Sequence, residues 1–124
     1  VDVAALESGD AADDELHNAY LNADPHMILV RGVNVEQLSE TDRKIAVTAL
    51  KEIRSYAQQS RSNAEKALDV SGGSSGDRAL DKTRREHYCK AVARNYRAMI
   101  EAGSMLVSLY EPRLVEMYRT HSMR

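Results

Sequence analysis

His87 and Cys89, with Glu86 beside them, are the residues whose types come closest to a metal site or an activated nucleophile. A metal site needs three or four ligands at workable spacing, and the sequence offers no second cluster. Positions two apart on a helix do not face each other. Cys89 therefore reads as a small buried hydrophobe. A thiol nucleophile served by His17, His26 or His121 has no local support. The Gly72-Gly73 pair does not lead into a Gly-Lys-Ser/Thr helix start, and no Gly-x-Ser-x-Gly elbow occurs. Carboxylates are plentiful, but none stands in an apolar setting that argues for a raised pKa. The expectation is a chain that is not an enzyme, with no catalytic residues, no cofactor and no metal.

A second group of residues points to binding. Lys82, Arg84, Arg85, Lys90, Arg94 and Arg97 are interleaved with Tyr88 and Tyr96. Aromatic residues among basic ones can hold single-stranded nucleic acid by stacking and phosphate contact. Spacings of three and four put Lys90, Arg94 and Arg97 on one helix side, which makes them the candidate nucleic-acid contacts. The competing reading is a solvated face, or one that meets acidic residues of another helix. Met99, Met105 and Met117 with Leu106 could line an adaptable partner groove, although an ordinary helical core explains them more simply.

These residues must be positioned by helices. Ala46, Leu50, Ile53, Ala57, Ser60, Ala64 and Ala67 alternate at spacings of four and three, a heptad seam that predicts a helix over about 40–69. Its later half is small, so a neighbour can come close. Cys89, Val92, Tyr96, Met99, Gly103, Leu106 and Tyr110 repeat the pattern and predict a helix from about 77 to 111. The similar lengths predict an antiparallel pair. Ser39-Glu40-Thr41-Asp42 resembles a capping box with Asp in the last place. An earlier helix starts at Asp13 or Asp14 as N-cap and carries Leu16, Tyr20 and Leu21. Asp24-Pro25 ends it and restarts a short apolar turn over 27–30, which Gly32 can close. Val33, Val35 and Leu38 form a covering connector. Pro112 breaks the last long helix before a short piece with Leu114, Val115, Met117 and Tyr118.

The fold class expected is all-α: a helical bundle with two long antiparallel helices and one or two shorter N-terminal helices. At 124 residues the chain has the size of one domain, with a formal net charge of −2 that exerts no global pull on nucleic acid or anionic membrane. It has no Phe or Trp and six Tyr, so its core is built from aliphatic side chains and Tyr bodies. No apolar run approaches the roughly 18–20 residues of a membrane span. The single Cys excludes an internal disulfide, and a reducing, intracellular setting, cytoplasm or nucleus, is the simplest expectation.

Ser71-Gly72-Gly73-Ser74-Ser75-Gly76 divides the chain. Such runs behave as flexible coil, and six residues span roughly 13 Å. Acidic residues outnumber basic ones before it, and the balance reverses after it. That reversal, with a start at Val1 and no initiator Met, reads as two complementary partners fused through an engineered tether, with a natural surface loop in one amphipathic hairpin as the alternative. The organisation expected is a mobile acidic segment 1–12, a helical segment 13–70, the linker 71–76, and a long helix with a kinked end over 77–124. The expected function is a protein–protein interaction module, a single-chain fusion of two interacting helical segments. Its partner would lay a helix in a groove, and the interface would comprise Leu50, Ile53, Ala57, Ala64, Val92, Tyr96, Met99, Leu106 and Tyr110. The alternative is a nucleic-acid-binding helical domain using the basic face over 82–97.

Overall fold

The computed structural model describes residues 1–23, 34–73 and 76–123. Among the described residues, five α-helices follow in order: α1 (Val3–Glu7), α2 (Asp13–Asn22), α3 (Glu40–Ser71), α4 (Arg78–Tyr110) and α5 (Val115–Ser122). Short 3-10 turns, Val35–Gln37 and Pro112–Leu114, lead into α3 and α5. The fold is all-α, with two long helices packed against each other and shorter N-terminal helices. The expected restart at Asp24-Pro25, the apolar turn over 27–30, Gly32 and Val33 lie outside the described residues.

Both long helices begin at the caps their sequences provide. The Ser39 hydroxyl accepts from the Asp42 amide at 3.2 Å. Asp77 accepts from the amides of Ala79 and Leu80, at 3.0 and 3.2 Å. Each cap satisfies donors that the first turn leaves orphaned. At about 1.5 Å per residue, α3 and α4 each run close to 50 Å. Ser71 meets Arg85, Asn63 meets Asn95, and Ile53 shares a cluster with Leu106, so the helices run antiparallel. The α2 start differs from expectation. Ala12 is the N-cap and makes no side-chain cap bond, while Asp13, Asp14 and Glu15 fill the first turn. Their charge there complements the helix dipole.

The core has two parts along the hairpin. Nearer the 71–76 connection, Val3 and Leu6 of α1 and Leu16, Ala19 and Ala23 of the α2 region pack with Ala57, Ala64 and Ala67 of α3 and Cys89, Val92, Tyr96 and Met99 of α4. At the other end, Ala46, Ala49 and Ile53 meet Ala102 and Leu106, with Val35, Leu38, Leu50, Leu109 and Tyr110 packed around them. The small stripe of α3 thus gives space to α2 as well as α4.

Two expectations about this core need correction. Residues 1–12, expected to be mobile, hold a helix whose Val3 and Leu6 are fully buried, capped by Asp2. Short spacing hides that anchor, because α1 supplies only two large apolar side chains. Leu50, expected in the interior, is only half-buried beside the second cluster.

Two glycines mark close approaches. Gly9 has φ 81°, a left-handed conformation, and turns the chain from α1 against the stem of Glu86 on α4. Gly103 leaves room for the Tyr118 ring of α5, which a Cβ at that position would overlap. Arg119 completes the docking of α5, donating to the Ser104 hydroxyl at 3.1 Å and to Glu101 at 3.0 Å.

Candidate partner-binding surface

The seam residues lie inside the chain. Ile53, Ala57, Ala64, Val92, Tyr96, Met99 and Leu106 are buried between α3, α4 and the N-terminal helices, while Leu50 and Tyr110 are partly covered at the second cluster. They join the two sides of the 71–76 connection to each other. Ser71 itself is the last residue of α3, not a free tether residue. Its hydroxyl donates to Asp13 at 3.0 Å and accepts from Arg85 at 2.7 Å. Arg85 also pairs with Asp13 at 2.9 Å and donates to the Ala11 carbonyl. That cluster holds the start of α2, the end of α3 and the early turns of α4 together. The Arg85 and Ser71 bonds keep the Asp13 carboxyl below its usual pKa.

The group that could have carried nucleophilic chemistry is sealed. Cys89 is fully buried, and burial pushes its thiol pKa up, away from the reactive thiolate. Glu86 bonds Lys90 at 2.8 Å, and the His87 ring stands edge-on to Tyr88 with centroids 5.4 Å apart. Among the described residues, no three His, Cys, Asp or Glu side chains gather as metal ligands.

The basic face is partly occupied by acidic partners. Arg97 makes a two-pronged bond to Glu7 of α1, at 2.7 and 2.5 Å. This bond lowers the Glu7 pKa and raises that of Arg97. Lys90 is held by Glu86, and Arg94 is exposed outside both pairs. Tyr96 is buried with its hydroxyl on the Ala19 carbonyl, so it offers no stacking face. Tyr88 is half-buried with the Lys66 ammonium 5.9 Å from its ring centre. The structure therefore does not gather Lys90, Arg94 and Arg97 into one free cationic surface.

The methionines also separate. Met99 and Leu106 belong to the core, whereas Met117 is exposed on α5. Met105 lines a different feature, an open groove of about 550 Å³ along the outer side of the α3–α4 pair. Ile45, Ala49 and Tyr56 form its apolar wall on α3, and Ala98, Ala102 and Met105 form the α4 wall. Lys44, Thr48, Glu52 and Glu101 supply its polar atoms. Glu101 is already bound by Arg119.

Sequence reasoning finds the seam but misses this groove. The available signal is a second stripe beside the first: Ile45, Ala49, Glu52 and Tyr56 on α3, then Ala98, Ala102 and Met105 on α4. Its members are mostly small or polar, so they do not stand out from a solvated face. Compared with known protein families, curated proteins and solved structures, the chain finds no match.

Proposed function

We propose that the chain is a non-enzymatic protein–protein interaction module whose docking surface is the α3–α4 groove. The observation that supports this is the groove itself, an apolar trough between two rigid helices with Met105 53% exposed on its wall. Such a trough suits the apolar face of a helix, with anchors repeating every three to four residues. A flexible Met on the wall adapts to the side chain it meets. Among the described residues, no helix is long and apolar enough to cross a membrane. The test places the photo-crosslinker p-benzoylphenylalanine at position 105 and, as a control, at the exposed position 58. The expected result in the cells that express it is a discrete adduct from position 105 alone, lost when Ala98→Glu, at a partly exposed position of the wall, puts a charge into the trough. No adduct from position 105 would overturn the reading.

A second reading is that the chain joins two interacting segments through 71–76. The charge reversal across 71–76 and the extensive α3–α4 seam favour it. A flexible linker acts chiefly by supplying an effective concentration, about millimolar for short ones. A protease site inserted between Gly73 and Ser74 tests it. After cleavage, the halves are expected to co-elute from size-exclusion chromatography at micromolar concentration. Separation into two species would count against tethered partners.

A further inference from the structure

We propose that the occupant of the groove is a second copy of this chain, with the two α3 helices antiparallel about a two-fold axis at Thr48. This rests on the groove being a docking surface, and it names the partner.

Charge on the rim carries the argument. Lys44, Thr48 and Glu52 stand at successive i+4 positions on α3, one ridge of the helix surface. Lys44 and Glu52 are eight residues apart, about 12 Å along the axis, too far to pair with each other. Glu52 makes no ion pair among the described residues. Among the described residues Lys44 forms an ion pair with Glu40 alone, at 4.0 Å, with both side chains at least 80% exposed. The rim thus presents one weakly engaged cation and one unengaged anion, symmetric about Thr48. A wholly acidic or wholly basic partner would satisfy only one of them. A second copy running the opposite way satisfies both, because each Lys44 then faces the other copy's Glu52, twice over.

A two-fold interface presents the same patch from both sides, so a self-complementary patch is what it requires. The apolar complement is present too. Ile45 is 38% exposed and Met105 53% exposed on the groove walls, apolar surface that a second copy would cover. Among the described residues, α2 packs on α3, and α1 and α5 pack on α4. Among the described residues, the groove is lined by α3 and α4 alone, with Arg119 of α5 reaching Glu101 at its edge, which leaves it open to a second layer.

The test measures molar mass by sedimentation equilibrium across a concentration series. The wild-type chain is expected to approach twice its monomer mass with a micromolar dissociation constant. Lys44→Glu alone, or Glu52→Lys alone, puts like charges opposite each other at two places and is expected to weaken dimerisation about tenfold or more. The double reversal, Lys44→Glu with Glu52→Lys, restores both pairs and is expected to recover most of the affinity. Thr48→Cys provides an independent readout, since residues on the two-fold axis come within disulfide reach while the buried Cys89 stays inert. It is expected to form a covalent dimer on mild oxidation, which Gln58→Cys does not.

A chain that stays monomeric at 100 micromolar would overturn the proposal. So would a double reversal no better than the single ones. Those failures are distinguishable from failure of the docking surface. A monomeric chain whose position 105 still crosslinks to a protein of another mass retains the groove as an interface and loses only the second copy.

Discussion

Tyr96→Ala is expected to destabilise the fold by about 3–5 kcal/mol, the range for truncating a buried aromatic side chain. Tyr96 is 4% exposed and lies where α1, α2, α3 and α4 share one cluster. Its hydroxyl donates to the Ala19 carbonyl at 2.5 Å, near the end of α2. Tyr96→Phe keeps the ring and removes that bond, so it should cost only about 0.5–1.5 kcal/mol. Urea unfolding of the three proteins separates the packing from the bond. A Phe variant as damaged as the Ala variant would show that packing is not the larger part.

The same residue sets a pH dependence. Burial pushes the Tyr96 phenol pKa far above its ordinary value near 10. Tyr110 and Tyr118 are raised for the same reason. Above about pH 10 the unfolded chain gives up phenolic protons that the folded chain keeps. This contribution is fully present below pH 10 and declines as pH rises beyond it. Tyr96→Phe should flatten the alkaline decline without abolishing it, because Tyr110 and Tyr118 remain. Denaturation midpoints between pH 8 and 11 measure the difference.

Leu106→Ala is expected to cost about 2–5 kcal/mol, whereas Leu50→Ala should fall below that range. Leu106 is 2% exposed and packs against Ile53 across the hairpin. Its neighbours Ala46, Ala49 and Ala102 are small, so few side chains can swing in to fill the space it leaves. Leu50 lies one position outside the fully buried line and keeps part of its surface in water. Equal losses from the two substitutions, measured by urea unfolding, would mean that the second cluster does not divide this way.

That contrast shows what a heptad pattern conveys. The seams of α3 and α4 are legible because Ile53, Val92, Met99 and Leu106 are large and repeat at three and four. The caps at Ser39 and Asp77 are legible because polar residues at helix starts have one dominant use. Leu50 fits the spacing equally well, yet periodicity only assigns a face, and the edge of a face is half wet. The seat of α1 is not legible, since Glu7 meets Arg97 ninety residues away and no local pattern encodes that pairing. The groove is hidden for another reason. Its floor is alanine and its rim is charged, which is also what an ordinary solvated helix face contains.

The way the first two helices are seated has a consequence for how the chain emerges during synthesis. α1 and α2 are made first, but α1 packs on α4, and α2 packs mainly on α3 with Tyr96 of α4 closing over its end. The Ala19 carbonyl waits 77 residues for Tyr96, and Glu7 waits 90 for Arg97. At about 5–20 residues per second, that delay lasts roughly 4–18 seconds. Leu6 spends that interval without its final neighbours on α4, while Leu16 can meet α3 earlier. Both helices are short and each buries only two of its residues, so the surface they leave open while waiting is small. Ile53, Met99 and Leu106 come later, on two helices that can zip together as soon as α4 appears. The order of the sequence thus makes the first helix wait for α4, while α2 has α3 to pack on sooner.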